Sequence, residues 1–148
     1  MELGKPPGYM LARSLQIFKN QIISEFKDRK IGLSFEQFII LHTLHSNCNL
    51  IQQDLANYLQ KDKSIIVRQI DFLLENHYVV RHTNESDKRK RNLILTEDGI
   101  EILKQMKGIA LEVSNKLLTG VSENELETFR YVLMKIQENG KLEEELYN

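Results

Sequence analysis

Apolar residues recur at three- and four-residue spacing through most of this chain, and the recurrence breaks at a few polar, glycine or proline positions. Pro6, Pro7 and Gly8 bar a helix before Tyr9, after which Leu11, Leu15, Phe18, Ile22 and Phe26 form the stripe of a first amphipathic helix, expected to stop near Gly32. Ser34 followed three residues later by Gln37 is a capping-box signature for a second helix through Phe38, Leu41 and Leu44. A loop is expected over 46–49. Asn49 and Gln52 are candidate caps for a short third helix with Leu55, Ala56 and Leu59, and Asp62 is a candidate cap for a fourth running to about Asn76. In the fourth, Ile66, Ile70, Leu73 and Leu74 share one face, which leaves Lys63, Ser64, Val67, Arg68 and Asp71 largely on the other.

Between Val79 and Thr96 the helical period is lost. Two short runs rich in β-branched and aliphatic residues flank a turn cluster, Asn84 to Asp87, and four consecutive cations, Lys88 to Arg91, which predicts a β-hairpin with positive charge at its tip. Helical spacing then resumes. Thr96 is a natural N-cap, with Glu97 and Asp98 favouring the positive end of the following helix. Its stripe is Ile100, Leu103, Met106, Ala110, Val113 and Leu117, with Gly108 as a weak point and Gly120 placed to end it. A second capping box, Ser122 with Glu125, opens a sixth helix carrying Leu126, Phe129, Leu133 and Ile136, with Leu142 and Leu146 in line to extend it.

At 148 residues the chain is long enough to bury a core as one domain, and the class expected is mainly α with a small β-hairpin. No apolar stretch approaches the roughly 18 residues of a membrane span, and the N-terminus carries no secretory pattern. Cys48 is the single cysteine, so no internal disulfide can form, which fits a cytoplasmic location. The formal charge of −1 hides an uneven distribution: eight cations face five anions over 61–91, whereas three face seven over 121–148. A polyanion responds to the local balance, so any nucleic-acid surface should be central.

A charge run alone is more often a solvated surface. Here it follows two short helices, a tight turn and a helix with small polar and basic residues at its start, an order that describes a winged helix-turn-helix. A helix about 10–12 Å across fits a major groove about 12 Å wide. Lys63, Ser64, Val67 and Arg68 are then the candidate groove residues, Arg68 as a bidentate partner for guanine; Lys88, Lys90 and Arg91 are candidate phosphate contacts, and Arg81 is a further candidate DNA-binding residue. Long apolar stripes at both chain ends exceed what a module of about sixty residues can cover, which points to a homodimer.

The run Asp87-Lys88-Arg89, five residues, then Leu95-Thr96-Glu97-Asp98-Gly99 resembles the wing signature of the MarR family of transcriptional regulators. Ser64-Ile65-Ile66-Val67-Arg68 with Asp71-Phe72-Leu73 is similar to the family's recognition helix, Gln53-Asp54-Leu55-Ala56 to the helix before it, and Gly8-Tyr9-Met10-Leu11 to its opening. The resemblance covers essentially the whole chain. It implies one domain over 1–148, with a DNA-binding lobe at 34–96 and dimerisation helices at 9–31 and 97–146. It also implies an obligate homodimer on a palindromic operator of double-stranded DNA, with Arg89 entering a minor groove and Asp87 orienting it. Members commonly respond to small phenolic or lipophilic acids bound in a crevice between the dimer arms and the winged lobe. The chain departs from the pattern at Asn76-His77, where a glycine usually ends the recognition helix.

Other chemistry is weakly signalled. His42 and His45 lie one turn apart and could supply two zinc ligands, but helix five has no histidine to complete a set, so both read as packing residues and no metal or cofactor is expected. Cys48 follows the second helix without activating neighbours and reads as an inert or partly exposed thiol. Tyr9, Phe18, Phe38 and Met106 could line an effector crevice and read equally as core. No nucleophile elbow, phosphate loop or histidine-glutamate metal motif suggests an enzyme. The alternative to a DNA-binding regulator is a winged-helix assembly module that does not bind DNA, for which the cationic tip has no use. The operator, the regulated genes, the direction of regulation and the effector are not written in the sequence.

Overall fold

The computed structural model describes residues 4–47 and 50–147, the last six of these by backbone alone. The candidate cap Asn49, the thiol Cys48 and the side chains of Leu142 and Leu146 lie outside the described residues. The elements are α1 (Pro7–Asp28), α2 (Phe35–Ser46), α3 (Gln52–Leu59), α4 (Lys63–Glu75), β1 (Val79–Thr83), β2 (Arg91–Leu95), α5 (Glu97–Leu117) and α6 (Glu123–Tyr147). This is a mainly helical winged fold. Among the described residues no helix is long and apolar enough to cross a membrane.

Packing divides the chain into residues 1–114 and 115–148. The first unit closes on a core of Phe26, Phe38, Ile40, Leu41, Leu55, Ile66, Ile70, Leu73, Val79, Leu103 and Met106. Phe26 and Phe38 meet edge to face with ring centroids 5.6 Å apart, a preferred aromatic geometry that seats α1 on α2. Arg29, just past α1, bonds both Glu25 and Glu112, and the guanidinium holds the Glu112 carboxyl below the usual carboxylate range.

Chain direction is set by local rules. The capping box of α2 is complete, with Gln37 N donating to Ser34 Oγ (3.1 Å) and Ser34 N to Gln37 Oε1 (2.8 Å). α1 stops at Asp28, four residues before Gly32, because Lys30 takes the left-handed conformation (φ 56°) and Ile31 N returns to Phe26 O at 2.9 Å. In α3, Gln52 is the first helical residue and the Asp54 carboxylate accepts Ile51 N at 2.9 Å, so an acid inside the first turn serves in place of a side-chain N-cap. Asp62 occupies the N-cap position of α4 without a side-chain bond to it.

One expected stripe, that of α5, is corrected, and so is the core reading of Tyr9. In α5 the buried positions are Gly99, Leu103, Met106, Ile109 and Val113, while Ile100 is 45% exposed. Gly99 occupies the inward position of the first turn, and one residue further turns Ile100 by about 100° toward solvent. In α1, Ile22 and Phe26 are buried, but Leu15 is 63% and Tyr9 52% exposed, so Tyr9 is not core in the single chain. Phe38 and Met106 are buried and Phe18 is half-buried.

The second unit begins with the end of α5. Gly120 turns the chain at φ 88°, and Ser122 and Glu125 form the second capping box, which lowers the Glu125 carboxyl through its bonds to Ser122. Phe129, Tyr131, Val132, Met134 and Ile136 of α6 are all exposed.

Candidate nucleic-acid interface

The fourth helix, α4, is held by its inner face. Ile66, Ile70 and Leu73 are fully buried, so the opposite side must face out, and Lys63, Ser64, Arg68 and Asp71 are exposed with Val67 half-buried beside them. The helix ends in a Schellman motif: Tyr78 N returns to Leu73 O (2.9 Å) and His77 N to Leu74 O (3.1 Å). His77 supplies the left-handed residue (φ 60°) in the place where a glycine usually stands. The departure from the family pattern therefore leaves the turn geometry intact.

That turn launches the wing. β1 and β2 pair antiparallel from Val79 opposite Leu95 to Thr83 opposite Arg91. β2 is anchored on the lobe, since Asn92, Leu93 and Leu95 are buried and Leu93 N donates to Leu50 O at 2.9 Å. At the hairpin base, Thr96 N donates to Tyr78 O (3.0 Å), Thr96 Oγ1 donates to His77 O (2.6 Å), and Gly99 N donates to Thr96 Oγ1 (3.0 Å). One threonine thus caps α5, closes the hairpin and ties both to the end of α4.

The tip is structured by two short acceptors. Asn84 Oδ1 accepts from Ser86 N (2.8 Å) and Asp87 N (3.3 Å), an Asx turn. Asp87 Oδ1 accepts from Arg89 N (3.1 Å) and from Arg89 Nε (3.3 Å). The Arg89 side chain is 92% exposed, so this pairing contributes little stability and acts on direction. Lys88, Lys90 and Arg91 are exposed around it. Arg81, on β1, donates to Gln52 Oε1 at 3.2 Å, which ties that guanidinium to the start of α3.

The structure therefore brings Asp87 to Arg89 and Arg81 to α3, and it displays Lys63, Ser64 and Arg68 on α4. Sequence reasoning missed Gln52 and Asn84 as orienting groups. Asn84 stood within the turn cluster and Gln52 was read as a cap, whereas its pairing with Arg81 spans 29 residues and has no local signal. Among the described residues no three His, Cys, Asp or Glu side chains gather as a metal set. His42, exposed on the surface of α2, faces Phe38 at 6.4 Å, and partial desolvation there with the charges of Lys107 and His45 pushes its imidazole pKa below the ordinary 6.5.

The MarR family model matches residues 33–90, from the turn before α2 to the wing tip. A MarR transcriptional regulator from Methanosarcina mazei Go1 is 27% identical with a TM-score of 0.78, over 90% of this chain and 94% of that one. A MarR family protein from Listeria monocytogenes complexed with 26mer DNA is 24% identical (TM-score 0.79, covering 91% and 89%). CouR from Rhodococcus jostii RHA1, bound to p-coumaroyl-CoA, is 22% identical (TM-score 0.77, covering 92% and 94%). The match over 33–90, the wing built on Asp87 and Arg89, and a fold shared over nearly the whole length lead to one conclusion: the winged lobe of this chain matches the MarR family model, and the chain is similar to MarR regulators.

Proposed function

We propose that the chain is a sequence-specific DNA-binding transcriptional regulator, acting in the cytoplasm as a homodimer on a palindromic operator and modulated by a small effector. The observation that carries the reading is the wing, whose one exposed arginine directed by an acid, Arg89 on Asp87, stands among three further cations and follows a helix with an outward basic face. A similar protein is complexed with DNA. Lys63, Ser64, Val67 and Arg68 enter the major groove, Arg89 enters the minor groove under the direction of Asp87, and Arg81, Lys88, Lys90 and Arg91 hold phosphates.

The dimer follows from area. α1 exposes Tyr9, Met10, Leu15, Ile17 and Ile23, and α6 exposes five large apolar residues among those described, so each helix carries a face that water disfavours and a second copy can cover. Residues 9–31 and 97–146 are the dimerisation segments and 34–96 the reading lobe. Two-fold protein symmetry places half-sites about 34–36 Å apart.

A similar protein is bound to an aromatic acyl-CoA. In this chain a cavity of about 480 Å³ between α1, α2 and α4 has an apolar wall of Phe35, Ile39 and Ile65, with Lys61 and Arg68 at its rim and Lys19 there paired with Glu36 at 3.6 Å. It suits a small aromatic or lipophilic anion, which would draw Arg68 away from DNA and so bind the DNA-free state better. Selection of fragments from random duplex DNA, followed by anisotropy across a salt series, tests the function. Enrichment of a two-fold symmetric site whose affinity falls steeply with salt supports it, and no duplex binding at low salt would leave the assembly module instead.

A further inference from the structure

α2 and α4 meet through buried apolar faces, with Ile40, Leu41 and Leu44 on one helix and Ile66, Ile70 and Leu73 on the other. Apolar contacts alone allow a helix to slide or roll by small amounts, because they carry no direction. At this contact one directional bond is present: Gln37 Nε2 donates to Gln69 Oε1 at 3.0 Å, across 32 residues of chain. Gln37 is buried, and its other amide atom, Oε1, is committed to Ser34 N in the α2 capping box. The amide is therefore held at both ends and cannot follow a rotation of α4. Gln69 directly follows Arg68, about 100° further round the helix, so the bond that holds Gln69 sets the direction in which Arg68 leaves the lobe.

We propose that Gln37 and Gln69 are a positioning pair that fixes the rotational setting of the recognition helix and thereby determines how sharply the protein discriminates its operator. The inference rests on the DNA-reading function proposed above. A bidentate arginine–base contact requires two hydrogen bonds to be in line together, and such bonds weaken steeply as their angle falls toward about 120°. A small roll of α4 removes that contact while phosphate contacts, which long side chains can follow, survive. The pair therefore acts on selectivity and leaves general affinity for DNA unchanged.

The test compares the full chain with its Gln69→Met, Gln37→Met, double and Ser34→Ala variants, measuring dissociation constants for the selected operator and for a scrambled duplex by anisotropy. Each single methionine variant is expected to shrink the ratio of the two constants about ten-fold while affinity for scrambled duplex stays within about two-fold. The double variant should lose no more than either single one, because both remove the same bond. Ser34→Ala removes the other half of the capping box without touching the pair, and should keep the ratio. Should Gln37→Met fail to fold, Gln37→Asn, which keeps the amide but shortens its reach, takes its place.

Three results would overturn the proposal: an unchanged ratio when Gln37 is altered, loss on Gln69→Met alone, which would make Gln69 a direct base reader, or equal loss in Ser34→Ala, which would reduce Gln37 to a helix cap. Wild-type protein that binds no duplex overturns the DNA-reading function itself, and with it this inference.

Discussion

Gly99 lies directly against the carbonyl of Tyr78, where a Cβ would overlap the oxygen that accepts the Thr96 amide at the base of the wing. The glycine is required by space, since its helical backbone would suit any residue. Gly99→Ala must push α5 away from the hairpin or break the Tyr78–Thr96 bond. We expect a loss of about 2–3 kcal/mol, read as a lower urea midpoint with an unchanged slope.

His77 holds a left-handed conformation that costs a non-glycine residue about 1 kcal/mol or more. Its backbone N–H and carbonyl make the bonds described above, so the side chain is not needed for the turn. His77→Gly should raise stability by about 0.5–1 kcal/mol, partly offset by the looser unfolded chain, and leave DNA affinity unchanged; a fall in thermal midpoint would contradict this.

Asp87 makes a prediction whose sign separates orientation from net charge. If it served only as a charge, Asp87→Ala would make the wing more positive and strengthen binding. As the group that directs Arg89, its loss should weaken operator affinity about three- to ten-fold, and Asp87→Ala in an Arg89→Ala background should then have no such effect.

Arg89→Ala should weaken operator binding and reduce the salt slope by about 1, while Arg68→Ala should also relax base preference at one position per half-site by about 1–3 kcal/mol. Anisotropy against matched and single-substituted duplexes measures both. Unchanged affinity in both variants would reject the assigned interface.

His42 gives a pH dependence. Its folded pKa lies below the unfolded 6.5, so the unfolded chain binds the proton more readily and stability should fall as pH drops below about 6.5, with little change above it. The wild-type urea midpoint should therefore be lower at pH 5.5 than at pH 7.5, and His42→Gln should narrow that difference.

Much of this architecture is readable from local pattern, because its causes are local. The capping boxes at Ser34 and Ser122, the Thr96 cap, the α4 stripe of Ile66, Ile70 and Leu73, and the Asn84 to Arg91 turn depend on residues within four or so positions of one another. Spacing exposes them. The stripe of α5 was misread at Ile100 because its phase is set by the close approach of Gly99 to Tyr78, across 21 residues of chain.

The sequence by itself determined which segments are helical, where the hairpin lies and which cations crowd its tip, since backbone propensity and capping act within a turn or two. Only the tertiary structure decided that Arg81 is tied to Gln52, that Gln37 reaches Gln69, and that Thr96 and Gly99 lock the wing to the end of α4. Each of these joins distant residues by a single directional bond or a single close approach, and such geometry exists only once the apolar faces have packed.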